Sequence, residues 1–150
     1  MSSIKFLSKN GKLFGRYLEK ILDLINFEFP YVKFKTEKLF RNHLSKKHIK
    51  ALVALNKNRE LIGYCEYALF KKTCRINAIV ISKNFRGKGY AKKLMDKVLR
   101  DLPKRIENVK VIVWDDNFIA INLYKKLGFK YLKKYKSVMG RNSSIYKLQL

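Results

Sequence analysis

Cysteine is nearly absent from this chain: Cys65 and Cys74 are the only two, and neither sits in a C-x-x-C pair. That excludes a disulfide framework and a thiolate zinc site, and two reduced core thiols are expected. His43 and His48 stand apart from any cysteine or carboxylate cluster, so both are read as surface residues and no metal site is expected. Long apolar runs are missing too. Stretches such as "ALVAL" and "AIVI" are far too short to span a bilayer, and "MSSIKFLSKNGK" holds no signal-peptide apolar block. A soluble cytoplasmic protein, without membrane association, is the expectation. No G-x-x-x-x-G-K-[ST] phosphate loop occurs, and no G-x-G-x-x-G follows a first strand, which removes two nucleotide-binding classes.

Acidic residues are scarce as well, 11 against 35 lysines and arginines, for a net charge of +24. Such a charge attracts anionic partners: nucleic acid, a polyphosphate cofactor or an acidic protein. Codon bias offers a plainer origin. Lysine, asparagine and isoleucine abound while Gln149 is the single glutamine, as an AT-rich genome would produce. Nearly half the residues are hydrophobic and aromatics are plentiful, so the chain is no disordered basic tail. Its 150 residues suit one domain with a real core.

The apolar pattern predicts the elements in order. "IKFL" reads as a short strand. Residues 13–25, "LFGRYLEKILDLI", carry the stripe of an amphipathic helix, which "NFEFPYVKFK" interrupts because Pro30 forces an extended or turn conformation before it. "TEKLFRNHLSKK" is a second helix with Thr36 as its N-cap. "KALVALNKN" and "LIGYCEYALF" are strands joined by a hairpin turn, "NKNRE". "RINAIVIS" is a strand too apolar for a sheet edge, and "VKVIVW" follows after the next helix. "NFIAINLYKKLGF" is a helix that Gly128 ends, and "KYLKKYK" and "SSIYKLQL" are the last strands. The order β-α-α-β-β-β-α-β-α-β-β describes a single α/β domain with a mixed sheet.

Between the strand "AIVIS" and the following helix lies "RGKGYA". A strand ending where a helix begins points free backbone N–H groups at one spot, where the helix dipole adds partial positive charge. Gly87 and Gly89 allow a phosphate to approach the backbone closely, and Arg86 and Lys88 add full charges. The chemistry fits a pyrophosphate, although basic glycine turns also start many helices for structural reasons alone.

"AIVISKNFRGKGYAKKLMDKVL" resembles the acetyl-CoA-binding motif R/Q-x-x-G-x-G/A of the GCN5-related N-acetyltransferase (GNAT) family, through Arg86, Gly89 and Ala91. "NFIAINLYKKLGF" is similar to that family's N-x-x-A-x-x-L-Y-x-x-x-G-F segment, through Asn117, Ala120, Leu123, Tyr124, Gly128 and Phe129. The element order is the family's throughout, while the first third contributes topology only. Lys83 stands where many members have proline. Ile112 occupies a strand position where some protein-acetylating members carry a catalytic glutamate.

The resemblance implies that two central parallel strands, "NAIVIS" and "VKVIVW", splay apart around acetyl-CoA as acetyl donor. The pantetheine would run along the backbone of Ile79, Val80 and Ile81. The pyrophosphate would rest on the amides of Arg86, Gly87, Lys88, Gly89, Tyr90 and Ala91, with Asn117 and Tyr124 approaching from the later helix. A neutral amine attacks the thioester, a backbone N–H near Ile81 is the candidate donor to the oxyanion, and Tyr124 is the candidate acid for the departing sulfur. Without the resemblance, Tyr124 reads as a core aromatic beside Ala120 and Leu127. No base is assigned. Glu66, Asp115 and Asp116 remain candidates and read as solvated loop or edge charges, while a dense positive field lowers an amine's pKa without any base.

In the resembled family, the loops "FEFPYVKFK" and "YKSVMGRNSS" border the acceptor groove. No acid occurs from Asn117 to Leu150, and the stretch from Lys33 to Lys50 is also strongly basic. Basic walls repel polyamines and aminoglycosides and favour acidic or nucleic-acid-associated acceptors. The leading expectation is a protein N-terminal or lysine amine, because "FEFPY", Tyr135 and Tyr146 resemble the aromatic loops of N-terminal acetyltransferases. The alternatives are an aminoacyl-tRNA or other nucleic-acid-linked amine, and a catalytically inactive basic module that binds nucleic acid. A monomer or a homodimer is expected.

Overall fold

Alternating apolar residues give most strands two buried faces, and the helices cover both. The computed structural model describes residues 3–29, 34–138 and 140–150. Strand β1 (Lys5–Ser8) leads through a short 3-10 turn into helix α1 (Leu18–Glu28) and then helix α2 (Glu37–Leu44). Strands β2 (Ile49–Leu55), β3 (Leu61–Phe70) and β4 (Thr73–Ile81) follow as antiparallel neighbours. Helix α3 (Tyr90–Asp101), strand β5 (Asn108–Trp114), helix α4 (Phe118–Lys126) and the hairpin β6 (Lys130–Val138) and β7 (Arg141–Gln149) complete the chain. One seven-stranded sheet results, in the order β1-β2-β3-β4-β5-β7-β6, in which β4 and β5 alone run parallel. The element order is the one expected from the sequence.

Strand β2 shows how the two cores separate. Leu52 and Ala54 face a cluster with Leu94, Met95 and Val98 of α3 and Ile121 and Tyr124 of α4. Ala51, Val53 and Leu55 face the other way, toward Ile21, Leu22 and Ile25 of α1 and Phe40 and Leu44 of α2. Both cysteines are free and buried. Burial pushes the Cys74 thiol up to about 12, so it is inert as a nucleophile near neutral pH.

Local chemistry sets the element ends. The Thr36 hydroxyl accepts from Leu39 N at 3.2 Å, the expected N-cap of α2. The C-terminal end of α2 is closed from a distance: Lys9 Nζ, in the turn after β1, donates to the carbonyls of Leu44 and Lys46 at 2.6 and 3.0 Å. In the β2–β3 turn, Asn56 Oδ1 accepts from the amides of Asn58 and Glu60, both at 2.9 Å. Gly128 takes φ +99° to end α4.

Two boundaries depart from the sequence reading. The stretch 13–25 is a 3-10 turn over Phe14–Tyr17 and then α1, which continues to Glu28. Its apolar face, packed on the sheet through Ile21, Leu22 and Ile25, carries the helix through part of the segment expected to interrupt it. Pro30, to which the break was attributed, lies outside the described residues. Among the described residues, no helix is long and apolar enough to cross a membrane.

Gly63 in β3 marks the tightest packing. A Cβ there would meet Ile81 Cδ1 at 2.7 Å, Val80 O at 2.8 Å and Leu94 Cδ1 at 3.0 Å. The backbone carbonyl cannot rotate away, so Gly63→Ala should destabilise the fold by about 1–3 kcal/mol, the usual range for overpacking. Urea unfolding checks this; an unchanged midpoint would mean that α3 is free to slide off the sheet.

Candidate active site

The sheet opens in its middle. Strands β4 and β5 pair over four residues, from Thr73 with Asn108 to Ile76 with Val111, and then stop. Beyond that point β4 stays paired to β3 as far as Ile81, and β5 stays paired to β7 as far as Trp114. The two strands therefore diverge while each remains held on its outer side, leaving β4 without a sheet partner on its inner edge. A cleft of about 360 Å³ fills the gap, lined by Ile76, Asn77, Ala78 and Ile79 from β4 and by Val111 to Trp114 from β5.

The divergence begins at a bulge. Glu66 pairs with Ala78 and Tyr67 with Ile76, so Asn77 is the extra residue on β4. The bulge turns the Asn77 side chain to the α1–α2 face, where its Nδ2 donates to Glu66 Oε2 at 2.8 Å. Glu66 is a buried carboxylate, 5% exposed. Its Oε2 also bonds His43 Nε2 of α2 at 2.8 Å, and its Oε1 accepts from Tyr64 OH at 2.9 Å. Burial pushes the carboxyl upward, yet the bonds from His43, Asn77 and Tyr64 and the nearby His43 charge outweigh it and hold the group below the usual range.

This cluster corrects two expectations. Glu66 is no solvated edge charge, because β3 is an interior strand, and His43 is a half-buried partner of that carboxylate. His48 is exposed, as expected, against Phe70. The other two acids stay at the surface in loop ion pairs, Asp115 with Lys134 and Asp116 with Arg141.

At the far end of β4, Gly87 and Gly89 take φ of +74° and +82°, with open space where a Cβ would be. Glycine is required there by the turn itself. Gly89 is the residue before α3, and no side chain caps the helix among the described residues, so the amides of Tyr90 and Ala91 open onto the turn. Arg86 Nε donates to Ile81 O at 2.9 Å, and its Nη2 is bound by Glu28 at the end of α1. Lys88 is exposed beside them, and the Tyr90 ring rests edge-on against Phe85. Of the other predicted residues on β4, Ile79 lines the cleft, Val80 is buried toward α1, and Ile81 packs beneath α3.

Helix α4 closes one side of the cleft. Asn117 lines it and also caps the helix, Oδ1 accepting from Ala120 N at 3.2 Å. Tyr124 is 4% exposed, lines the cleft and packs its ring 5.4 Å from that of Phe129. Burial, with a smaller contribution from Cys65, raises its pKa above the ordinary phenol value and keeps the hydroxyl protonated. Of the aromatics expected to frame an acceptor, Tyr135 lines the cleft, whereas Tyr146 is core, edge-on to Tyr131.

Residues 18–129 match the family model described as acetyltransferase (GNAT) family. The chain belongs to that family. This GNAT chain is 27% identical over 89 residues to a protein of Bacillus subtilis subsp. natto (strain BEST195) named "Probable spermine N(1)-acetyltransferase", covering 53% of this chain and 59% of that one. The match thus spans under two thirds of that curated relative. Among solved structures, Arabidopsis thaliana NAA60 in complex with a bisubstrate analogue superposes with a TM-score of 0.78 at 20% identity, covering 98% of each chain. The spermidine N-acetyltransferase from Vibrio cholerae, in complex with CoA and spermine, gives 0.74 at 18% identity over 97% of this chain and 95% of that one. At such identities the likeness shows the GNAT fold. The family's acetyl donor is acetyl-CoA.

The depressed Glu66 pKa has a consequence for stability. The group adds stability above its unfolded pKa of about 4.3, and that contribution is lost as pH falls through the folded value. Unfolding midpoints should therefore drop more steeply on acidification in the native protein than in Glu66→Gln. Parallel curves would show that the carboxylate is not held ionised.

Proposed function

We propose that this chain is an acetyl-CoA-dependent N-acetyltransferase acting on a primary amine, with Tyr124 serving the departing sulfur. One observation carries the reading: β4–β5 pairing ends after Ile76 and Val111, and the free β4 edge runs from there to the glycine turn. An extended amide chain ending in a pyrophosphate matches that path in both shape and charge. In this reading Ile79, Val80 and Ile81 offer backbone to the pantetheine, and Arg86, Gly87, Lys88, Gly89, Tyr90 and Ala91 hold the pyrophosphate. The Asn117 carboxamide N–H₂ faces the donor while Oδ1 keeps its capping bond. The residues present fit the donor: open space over Gly87 and Gly89 admits phosphate oxygens that side chains would exclude.

The bound donor supplies a thioester acyl group open to attack by a neutral amine. Tyr124 keeps its proton because burial raises its pKa, which makes it a weaker acid than a thiol of about 8.5. Its role is thus to donate a hydrogen bond to the sulfur as negative charge develops there, rather than to surrender the proton completely.

Two acceptor classes have support. A protein N-terminal or lysine amine suits the basic surface, with 35 cationic against 11 acidic side chains, which repels polycations. A small-molecule amine is supported by the sequence relative named for spermine acetylation. Release of CoA thiol across peptides, blocked lysine and polyamines decides between them.

Tyr124→Phe should lower kcat by about 10²-fold with little change in the acetyl-CoA KM. A kcat that does not move would remove Tyr124 from the chemistry, and failure to bind acetyl-CoA would end the enzyme reading. Glu28 competes with the pyrophosphate for Arg86. Glu28→Gln should therefore tighten CoA binding by up to about fivefold, the scale of a partly exposed ion pair, and calorimetric titration reads this directly.

A further inference from the structure

A second cavity, of about 270 Å³, lies on the α1–α2 face of the sheet, lined by Ile25, Phe29, Phe34, His43, Glu66, Asn77 and Ala78. It shares Phe29, Asn77 and Ala78 with the cleft between β4 and β5, so the two spaces abut at the bulge. The walls are apolar apart from the groups at one end, and those groups form one hydrogen-bonded unit centred on the Glu66 carboxylate.

The bonding fixes how that unit works. A carboxylate only accepts, so the His43 nitrogen facing it, Nε2, must carry hydrogen, and in the neutral ring Nδ1 then holds the lone pair. Three donors, from His43, Asn77 and Tyr64, occupy three of the roughly four acceptor positions of the carboxylate, leaving room for one further N–H. The charged or titratable groups around it are Tyr64 and Cys65 on β3, His43 on α2, and Lys9 in the turn after β1. Arg75 on β4 is one bond further away, its Nε donating to Asn77 Oδ1 at 2.9 Å. Helix α1 adds only the apolar Ile25 and Phe29 to the lining.

We propose that this cavity is the acceptor pocket and admits a primary amine as a single ammonium, with Glu66 receiving it and His43 taking its proton. The proposal rests on the acetyl-transfer reading above for the chemistry, though not for the binding of the amine. The ammonium gives one proton to His43. Its nitrogen then forms the N–C bond to the acetyl carbon while the C–S bond breaks, and the nitrogen's second proton ends on the departing sulfur. The products are an amide, a thiol and the proton held by His43.

The pocket also sets the substrate class. At about 270 Å³ it is smaller than the roughly 300–1,000 Å³ of a site for a whole drug-sized ligand, so it takes an amine and its stem while the rest of the acceptor stays outside. A second ammonium a few carbons along the stem would fall among Ile25, Phe29 and Phe34. The Phe34 ring is already packed against His43 at 4.7 Å and Phe40 at 5.4 Å, and no second carboxylate lines the cavity. The acceptor class is therefore an amine with one charge and an apolar stem, such as a lysine side chain or a chain N-terminus, rather than a polyamine.

The test uses the full chain and its two histidines, of which exposed His48 is the internal control. Imidazole ¹⁵N signals are followed while a doubly blocked lysine, or spermidine, is added without donor. The expected result is a shift confined to His43 with blocked lysine, weaker with spermidine and lost in Glu66→Gln. In turnover, Glu66→Gln should lower kcat/KM for blocked lysine by about 10²-fold or more and displace the acid limb of its pH profile, while CoA affinity stays the same. A silent His43, or a stronger response to spermidine, overturns the proposal even if acetyl-CoA is turned over. The native titration requires no variant to fold. Should acetyl-CoA fail to bind, the enzyme reading falls while the His43 signal still decides the pocket.

Discussion

A short seam holds this structure together and opens it at the same time. Between β4 and β5 only four residue pairs join the two halves of the sheet, and the antiparallel partners outside them must carry the rest. Right-handed twist alone would rotate neighbouring strands without parting them. Parting requires an irregularity, and the Asn77 bulge supplies it. Every functional feature described here is placed by that divergence: the cleft, the free edge of β4, the aim of Asn77 toward Glu66, and the position of Tyr124 across the gap.

The two sides of the seam differ in electrostatic character. One end of β4 meets a helix start with uncapped amides, Arg86 and Lys88, and is built for an anion. On the opposite face lies one buried carboxylate with its histidine. A protein of net charge +24 thus keeps a single negative group where an amine would have to arrive. The bulk charge governs approach from a distance, while the Glu66 unit governs what stays. These act over different ranges, so an overall basic character does not exclude a cationic acceptor.

Much of this was legible in the sequence because the signals were local. Gly87 and Gly89 announce positive φ beside a basic turn, Thr36 and Asn117 stand where caps belong, and the alternation of β2 and β4 states that both faces are covered. Glu66 was not legible. Its partners lie 23 residues before it and 11 after it, and nothing in "YCEYAL" names them. A signal was present nonetheless: a lone acid within a strand whose neighbours are almost all apolar has no solvated face to occupy. The end of α1 was misplaced for the opposite reason, since a strong local breaker, Pro30, drew attention from an apolar stripe that tertiary packing carries as far as Glu28.

The hold of Lys9 on the end of α2 has a reach that its surface position conceals. Its ammonium grips the carbonyls of Leu44 and Lys46, and the first of these is the residue after His43. Strand β1 lines neither cavity, yet through this one side chain it sets the angle at which the imidazole meets the Glu66 carboxylate. The first nine residues are thus a remote part of the catalytic geometry, and a lesion among them would present as faulty proton handling in a protein that still folds.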